Sequence, residues 1–451
     1  MEIIYLHEIM EATVGVRDSR YSNIAIHSIS TDSRRIQRGD LFIALEGDNF
    51  DGHDFVEDAV RSGAAAVVVS KPVKLQQEVP VIQVDNTLKA LWQVSAYYRR
   101  KFSKPVIAVT GSVGKTSTKD MVAAVLSSKY CVHKSQGNYN NHIGLPMTIF
   151  GLENKHDLAV LEMGMSGFGE IRELSRIARP SVAMITNIGL SHIEKLGSRE
   201  NILKAKLEIL EGMDENGVLI LNADDSFLQK VNGSFAGRVV RIGIDVDADF
   251  TGYAVVDKGE KGVTFKVKLQ GREYDVHIPA LGRHNVYNAL FGIACGVELG
   301  LNPEEILEGI RNYQPEKMRL NIIEMDGIRF INDSYNASPD SMQVALQVLK
   351  GIAGENRTIA ILGNILELGG LASIAHQNVG KMCGELGIDF VAIIGENAQD
   401  LGQGIGDESR YKIFHSHDEI IQFMKGFLRK NDVVLVKGSR GMKMEKIFEL
   451  W

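Results

Sequence analysis

The chain has 451 residues, of which 44% are hydrophobic and 24% charged, and its 57 acidic and 50 basic side chains leave a formal net charge of -7. That length exceeds what one hydrophobic core usually organises, so we expect two or three domains, and the composition excludes a disordered chain. The acidic excess would repel a phosphate backbone, so we expect no nucleic-acid partner.

The cysteines and the first residues indicate the compartment. Cys131, Cys295 and Cys383 are widely spaced and lack the close pairing of a thiolate metal site, so we expect three reduced packing residues. Residues 1–6 carry no basic region before a long apolar core, and no stretch reaches the length of a membrane span. We therefore expect a cytoplasmic protein.

The predicted elements fall into three blocks along the chain. In the first block, residues 1–100, short apolar runs at 40–45, 65–70 and 81–84 are separated by loops rich in Gly, Asp and Asn. These runs predict strands of a small N-terminal α/β domain.

The second block covers residues 101–312. Apolar runs at 105–110, 158–163, 182–188 and 218–221 end in Gly, Asn or Asp and precede helix-like segments, which is typical of a parallel sheet covered by helices. Between residues 239 and 279 the apolar period changes to two, with Val263, Phe265, Val267 and Leu269 followed by Tyr274, Val276 and Ile278. This change predicts an antiparallel hairpin appended to the sheet.

The third block, residues 313–451, returns to the alternating pattern. Strands are predicted at 328–332, 358–362, 390–394 and 433–436, with helical stretches between them. The whole chain is therefore expected to be α/β.

A glycine-rich segment carries the strongest chemical signal. It lies between the predicted strand at 105–110 and a helix, and it consists of Gly111, Ser112, Val113, Gly114, Lys115, Thr116 and Ser117. Such a loop binds phosphate through backbone N–H groups and a helix N-terminus, while the lysine reaches the terminal phosphates and Thr116 can ligate magnesium. The stricter pattern has a further glycine where Val109 stands. The alternative is a glycine-rich turn that happens to contain a lysine.

Three further side chains stand in unusual positions. Glu162 ends an apolar run, where a carboxylate is costly unless a cation or hydrogen-bond donors face it, so it suits a magnesium ligand. His192 follows the next strand and should project from the same sheet edge. The alternatives are a strand-end glutamate in solvent and an ordinary loop histidine.

Lys206 shares the apolar face of a helix predicted at 199–210 with Ile202, Leu203 and Leu210. Desolvation would favour its neutral amine, which could react with carbon dioxide to give a carbamate, an additional anionic metal ligand. By periodicity alone the favoured interpretation is a lysine whose head reaches water.

Together these features resemble the Mur ligase family. The resemblance rests on the short phosphate loop, Glu162, residues 186–192, Ala205-Lys206, and residues 221–225 and 282–288, and it covers nearly the whole chain. It implies three domains: residues 1–100 bind a UDP-sugar, residues 101–312 form a P-loop ATPase domain on a parallel sheet, and residues 313–451 form a Rossmann-like ligase domain.

Three segments resemble particular members of the family. Residues 30–35, 39–42 and 51–55 are similar to the uridine-binding domain of the two members that add the third residue and the terminal dipeptide. Residues 332–339 and 366–369, with His376, resemble the dipeptide-adding member, and the Asp-Asn-Pro-Arg motif of enzymes that add diaminopimelate is absent from the sequence. Ser338 stands where the family often has Asn, which puts one polar contact in doubt.

The resemblance implies ATP and Mg²⁺ as cofactors and a role for individual residues. Those expected to act in catalysis are Lys115, Lys206, His192 and Arg319. Residues 111–117, Asn288 (adenine), Arg319 (phosphates) and Asp333 (ribose) are expected to bind ATP. The expected magnesium ligands are Thr116, Glu162, His192 and a carbamylated Lys206. Expected substrate contacts are Ser30, Thr31, Asp51, His53, Asn138, Asn141, Tyr335, Asn336, Lys437 and Ser439.

The implied reaction is ATP-dependent ligation of D-alanyl-D-alanine to UDP-N-acetylmuramoyl-tripeptide through an acyl phosphate, which gives the pentapeptide precursor of peptidoglycan. We expect a monomer, and the third residue of the acceptor, lysine or diaminopimelate, stays open. The alternatives are a related ligase that adds one amino acid, a folate-type polyglutamating ligase, and a nucleotide-regulated binding protein that hydrolyses ATP slowly.

Overall fold

The computed structural model describes residues 1–14, 23–47, 49–231 and 235–451. Strands within these residues form sheets of four, nine and six strands and one two-stranded ribbon, and each sheet comes from a separate part of the chain. Helices pack on all three sheets, so the predicted α/β class is confirmed.

The N-terminal block holds the four-stranded sheet, in which β3, β4, β5 and β6 are parallel neighbours. Its elements in chain order are β1 (Ile4–Tyr5), α1 (Leu6–Val14), β2 (Ala25–Ile26), β3 (Ser28–Ser30), β4 (Asp40–Ile43), α2 (Val56–Arg61), β5 (Ala66–Val69), β6 (Val81–Gln83) and α3 (Thr87–Arg100). The three predicted strands are confirmed as β4, β5 and β6. The short Ser-Ile-Ser segment of β3 carries too little pattern to be predicted.

The middle block forms the nine-stranded sheet, ordered β15-β14-β13-β12-β11-β10-β7-β9-β8. Its elements are β7 (Val106–Thr110), α4 (Lys115–Leu126), β8 (Val132–Lys134), α5 (Gly144–Phe150), β9 (Leu158–Glu162), α6 (Glu170–Ala178), β10 (Val182–Ile185), α7 (Ile193–Leu196), α8 (Arg199–Leu207), β11 (Val218–Asn222), β12 (Arg238–Ile244), β13 (Phe250–Asp257), β14 (Val263–Leu269), β15 (Arg272–Ile278), α9 (Asn285–Glu298) and α10 (Pro303–Arg311). Strands β7 to β13 pair in parallel, and β13, β14 and β15 pair antiparallel.

The predicted hairpin is confirmed as β14 and β15. Leu269 pairs with Arg272 across a two-residue turn, and both turn residues have positive φ, 50° at Gln270 and 76° at Gly271. Such a turn matches the right-handed twist of the strands on either side.

The C-terminal block forms the six-stranded sheet, ordered β16-β17-β21-β18-β19-β20. Its elements are β16 (Asn321–Met325), β17 (Ile328–Asp333), α11 (Pro339–Ala353), β18 (Thr358–Gly363), α12 (Ala372–Glu385), β19 (Phe390–Ile394), α13 (Ala398–Ile405), β20 (Tyr411–Phe414), α14 (His417–Phe427), β21 (Val433–Lys437) and α15 (Lys446–Glu449). All pairs are parallel except β16 with β17, so the four predicted strands are confirmed within a Rossmann-like sheet.

Cys295 and Cys383 are buried, but Cys131 is exposed, so its prediction as a packing residue is wrong. Cys131 lies just before the sheet-edge strand β8, where little structure covers it. No helix in the described ranges is long and apolar enough to cross a membrane.

Candidate active site

The glycine-rich loop connects β7 to α4, at the edge where the parallel strands of the middle sheet end. A Cβ at Gly111 would lie 1.8 Å from Oγ1 of Thr186, and Gly111 has φ +151°, so a side chain cannot be accommodated there. Gly114 has φ +85° and caps α4, a conformation that favours glycine. The two glycines therefore allow the backbone to turn tightly into the helix N-terminus.

The segment after β10 holds this loop in place. Oγ1 of Thr186 donates to the Val113 carbonyl at 2.6 Å, and Asn187 both accepts from the Val113 N–H and donates to its carbonyl, each at 3.0 Å. The Ser112 N–H donates to the Asn187 carbonyl at 3.0 Å. The strand predicted to run to residue 188 ends at Ile185 because the next residues bond to the phosphate loop instead of to a strand.

Lys115 and Thr116 form the cationic and hydroxyl part of the loop. Nζ of Lys115 turns back and donates to the Gly111 carbonyl at 2.8 Å. Burial lowers the pKa of Lys115, and the carboxylate of Glu162 opposes that shift. Oγ1 of Thr116 accepts a hydrogen bond of 2.8 Å from Nη2 of Arg319, which arrives from the C-terminal block.

Glu162 ends β9 and is only 2% exposed, so the interpretation of a strand-end glutamate in solvent is wrong. Its Oε1 accepts from Nδ2 of Asn140 at 2.8 Å, and its N–H donates to Oγ of Ser135 at 3.1 Å. Its buried Oε2 has no hydrogen-bond partner among the described residues. A buried carboxylate oxygen without a donor is costly, so this atom is suited to a cation.

His192 caps α7 with a left-handed backbone, φ 64°. Its Nδ1 lies 2.6 Å from Oε2 of Glu367, which belongs to the C-terminal block. The two side chains are therefore in close polar contact. His192 therefore links the middle sheet to the loop after β18.

Lys206 is 1% exposed, so the interpretation that its head reaches water is wrong. Helix α8 ends at Leu207 and continues as a 3₁₀ turn at Glu208–Gly212, whereas one helix had been predicted for 199–210. Burial lowers the pKa of Lys206 well below its usual value, and the charge of Lys115 lowers it further. These conditions favour a neutral amine, as the carbamate hypothesis requires.

The predicted metal ligands fit a magnesium ion in part. Glu162 offers an oxygen without a hydrogen-bond partner, and Thr116 offers a hydroxyl oxygen, which are donors that Mg²⁺ prefers. The described part of the chain has no group of three or more His, Cys, Asp or Glu side chains arranged to hold a metal. A complete ligand set here therefore has to draw on the hydroxyl, Lys206, water or the phosphates of a ligand.

Arg319 reaches the phosphate loop from a strained segment. Its neighbours Met318 and Leu320 have φ of 61° and 54°, a conformation that is uncommon outside glycine and is often found at functional sites. The guanidinium carbon lies 4.1 Å from the ring centroid of Tyr335. This segment directs the guanidinium toward Thr116.

The strand ends of β17 and β21 form the opposite wall. Nζ of Lys437 is buried, forms an ion pair with Asp333 and donates to the Asn336 carbonyl at 3.0 Å. Burial raises the pKa of Asp333, while Lys437 opposes the shift. Oγ of Ser439 instead accepts from the Leu366 N–H at 2.9 Å, so it joins two loops.

A cleft of about 930 Å³ lies between these walls. Within it, Asn288 accepts from Oγ1 of Thr118 and donates to Asn285, each at 2.8 Å. The predicted site residues that line the cleft are Ser112, Val113, Gly114, Lys115, Thr116, Ser117, Asn138, Asn141, Glu162, His192, Asn288, Arg319, Asp333, Tyr335, Asn336 and Lys437.

Gly111, Lys206 and Ser439 were also predicted and do not line this cleft. Four further predicted substrate residues lie in the N-terminal block instead. Ser30 is the last residue of β3 and Thr31 follows it, while Asp51 and His53 come after β4, beyond the carboxyl ends of parallel strands. Nδ1 of His53 lies 2.5 Å from Asp51, and its Nε2 accepts from the Ser70 N–H at 2.9 Å. Both ring nitrogens are thus engaged within the domain.

Sequence reasoning missed several residues that position the site. Asn140 and Ser135 hold Glu162, and Asn187 holds the phosphate loop. Of these, only Asn187 lay within a segment that had been singled out. His376 is buried and accepts from the Ile365 N–H at 3.0 Å, so its role is to hold the loop that carries Glu367.

A phosphate loop that faces a Rossmann-like sheet across a cleft defines a nucleotide-dependent α/β protein with sites on separate domains. Three domain families match the sequence. "Mur ligase family, catalytic domain" matches residues 25–99, "Mur ligase middle domain" residues 109–296, and "Mur ligase, glutamate ligase domain" residues 318–440.

Relatives and solved structures agree with these matches. The UDP-N-acetylmuramoyl-tripeptide–D-alanyl-D-alanine ligase of Bacillus subtilis is 41% identical over 98% of this chain and 96% of that protein. A crystal structure of MurF from Acinetobacter baumannii has a TM-score of 0.92 at 32% identity, over 100% of this chain and 98% of the other. MurF from Thermotoga maritima in complex with ADP has a TM-score of 0.84 at 26% identity, over 94% and 96%. The chain belongs to the Mur ligase family, as its motifs had predicted.

Proposed function

We propose that this chain joins D-alanyl-D-alanine to UDP-N-acetylmuramoyl-tripeptide at the expense of ATP and thereby makes the pentapeptide precursor of peptidoglycan. The observation that carries the proposal is the cleft, in which a braced phosphate loop and the free oxygen of Glu162 face Arg319 and Lys437 of another sheet. The full-length similarity to a ligase named for this reaction favours it over the related ligases and over a slow ATPase.

ATP binds with its phosphates on residues 111–117, its adenine near Asn288 and its ribose near Asp333. Lys115 leaves the Gly111 carbonyl to meet the terminal phosphates, and Arg319 adds a second positive charge. Since both charges are largely desolvated, they stabilise the developing anionic oxygens more strongly than they would in water.

The reaction has two steps. An oxygen of the acceptor carboxylate attacks the γ-phosphorus, the bond to the bridging oxygen breaks, and ADP leaves with an acyl phosphate formed. The amine of D-alanyl-D-alanine then attacks the carbonyl carbon, the bond from that carbon to the phosphate oxygen breaks, and phosphate leaves while the amine proton passes to solvent. The two facing walls hold carbonyl and amine together and exclude water, which would hydrolyse the acyl phosphate.

Thr116, Glu162, His192 and a carbamylated Lys206 would hold magnesium. When bound, magnesium supplies positive charge that offsets the crowding of phosphate oxygens. Asn140 keeps Oε1 of Glu162 occupied and so leaves Oε2 facing the cleft.

The acceptor spans two sites. Its uridine end binds at Ser30, Thr31, Asp51 and His53, and its peptide end reaches Asn138, Asn141, Tyr335, Asn336, Lys437 and Ser439. We propose domain limits of 1–100, 101–312 and 313–451 for this arrangement, with all parts contributed by one chain, hence a monomer. Both nucleotide substrates belong to the cytosol, so we propose a cytosolic location.

Replacing Lys115 with methionine tests the proposal. We expect phosphate release and ligation to fall by about 100-fold, because one charge that stabilises the transferring phosphoryl group is lost. Fold should be retained, since the ammonium bonds only to its own loop. The measurement is phosphate release with ATP and D-alanyl-D-alanine, run with the lysine and with the diaminopimelate tripeptide.

Lys268→Met is the matched control, because Lys268 lies exposed on β14 away from the cleft. This variant should keep the turnover of the native chain. Near-normal turnover of Lys115→Met would reject the role of the phosphate loop.

A further inference from the structure

The function proposed above leaves one substrate without a binding partner. D-alanyl-D-alanine carries an ammonium group at one end and a carboxylate at the other, so a site that recognises it needs one negative and one positive group. Two charged side chains beside the cleft have no role so far, Glu367 after β18 and Arg440 after β21.

These two side chains are carried by loops that are bonded to each other. The loops leave neighbouring parallel strands, since β18 pairs with β21. The Ser439 N–H donates to the Asn364 carbonyl at 3.0 Å, and the Leu366 N–H donates to Oγ of Ser439 at 2.9 Å. Glu367 follows Leu366 and Arg440 follows Ser439, the two residues of the second bond, so the fold holds the backbones of Glu367 and Arg440 at a set separation.

Glu367 lies against His192, which lines the cleft. Its backbone has φ 64°, a conformation that is uncommon outside glycine and that clusters at functional sites. Its Oε2 lies 2.6 Å from Nδ1 of His192, and its charge acts on Lys115 of the phosphate loop. The carboxylate therefore lies beside the residues that are proposed to bind phosphate and metal.

Arg440 lines the same cleft on the next strand end. Its N–H donates to Oδ1 of Asn336 at 3.1 Å, which fixes the backbone, and its guanidinium carbon lies 5.9 Å from the ring centroid of Tyr335. One nitrogen pairs with Glu445 at 2.9 Å. The guanidinium has further N–H groups with which to bind a carboxylate in a bidentate manner.

Glu367 and Arg440 can exchange their present partners, His192 and Glu445, for a ligand. The side chain of Glu367 is 57% exposed and that of Arg440 is 53% exposed, and exposed ion pairs contribute little free energy. A ligand that offers both charges in one molecule can therefore displace them. Leu366 precedes Glu367 in the chain and donates its N–H to Oγ of Ser439, the residue before Arg440. It is 44% exposed and offers an apolar surface to methyl groups.

We propose that Glu367 binds the ammonium group and Arg440 the carboxylate of D-alanyl-D-alanine, with Leu366 against its methyl groups. This inference rests on the proposed function and deepens it. Each residue of a peptide adds about 3.5 Å to its span, so a dipeptide separates its ammonium and carboxylate groups more widely than a single amino acid does. Glu367 and Arg440, on two loops that are bonded to each other, can therefore distinguish the two ligands. The C-terminal loops thereby set the length of the group that is added.

The first test changes the ligand. D-alanyl-D-alaninamide keeps the amine but has no carboxylate, and we expect its KM with the native chain to exceed that of D-alanyl-D-alanine by about tenfold. An equal KM for the acid and the amide would overturn the role of Arg440 without any variant having to fold.

The second test combines ligand and variant. In Arg440→Met the KM for the acid should rise about tenfold to match that of the amide, whose KM stays unchanged, and Arg440→Lys should restore part of the difference. In Glu367→Gln the KM should rise for acid and amide alike, with the ratio between them kept. In Arg440→Met the KM values for ATP and for the tripeptide should stay unchanged, which a general loss of structure would not allow.

Lys430→Met and Glu408→Gln are the matched controls, since both residues are exposed and lie outside the cleft lining. Preserved discrimination between acid and amide in Arg440→Met would contradict the inference while leaving the proposed function intact. Absence of any D-alanyl-D-alanine-dependent phosphate release from the native chain would instead contradict the proposed function itself.

Discussion

At the residue scale, the buried position of Lys206 is energetically costly. Its amine is buried, and the positive charge of Lys115 acts on it. A protonated amine here loses its hydration and is repelled as well, so the folded chain disfavours the proton that the unfolded chain binds. Reactivity at this position is gained at the cost of stability.

Lys206→Met should therefore be more stable than the native chain in bicarbonate-free buffer near neutral pH, although ligation is lost. The pKa of Lys206 is lowered in the folded state, so the unfolded chain binds more protons and native stability rises with pH toward the usual lysine pKa. The advantage of the variant should shrink over the same range. Urea unfolding from pH 7 to pH 10 measures it, and a constant difference between the two chains would refute the account.

At the element scale, Ser338 explains a departure from the family pattern. It is the N-cap of α11, where its Oγ accepts from the Ser341 N–H at 3.3 Å and its N–H donates to Oγ of Ser341 at 2.9 Å. Helix α11 starts beside the Tyr335 loop and packs on β21 and β18. Ser338 therefore caps a helix that begins at the wall of the cleft.

Ser338→Ala should lower the free energy of unfolding by about 1 kcal/mol, because an N–H of the first turn loses its acceptor. Ser338→Asn should retain most of the stability, since asparagine also caps helices well. Denaturant unfolding compares the two variants. Equal destabilisation by both replacements would show that the cap is not the important contact.

The bounds of a strand could be predicted from the sequence where the strand is buried on both faces. The runs that became β7, β9 and β19 are continuous apolar segments and were predicted closely. The end of β10 was predicted three residues too late, because the hydrogen bonds of Thr186 and Asn187 to the phosphate loop override the apolar pattern. Tertiary partners of this kind leave no local signal.

The sequence allowed us to predict which side chains belong to the site, but not which residues they contact. Glu162 stood out because a carboxylate follows an apolar run, yet Asn140, which orients it, comes from a loop without periodicity. The contact between His192 and Glu367 joins two domains and depends on how they pack. The resemblance to a family identified the roles, and the fold supplied the geometry.

At the scale of the whole molecule, stability should depend on pH through buried histidines. Burial, reinforced by Lys437, lowers the pKa of His284 to about 4, and burial also lowers the pKa values of His133 and His376. As pH falls below the usual histidine pKa of about 6.5, the unfolded chain gains protons that the folded chain does not, so stability falls.

In His284→Gln the free energy of unfolding should fall less steeply between about pH 6.5 and pH 4, because one histidine with a lowered pKa has been removed. Chemical unfolding at a series of pH values measures the slope for the native chain and the variant. Parallel slopes would show that His284 is protonated equally easily in both states.

The whole account depends on one carboxyl group being activated by phosphate and captured by an amine within the cleft. The most direct measurement uses tripeptide substrate whose acceptor carboxyl carries a heavy isotope of oxygen, with ATP and D-alanyl-D-alanine, followed by mass spectrometry of the released phosphate. The account predicts that each amide bond formed transfers one heavy oxygen to phosphate. Unlabelled phosphate, released whether or not the dipeptide is present, would contradict it.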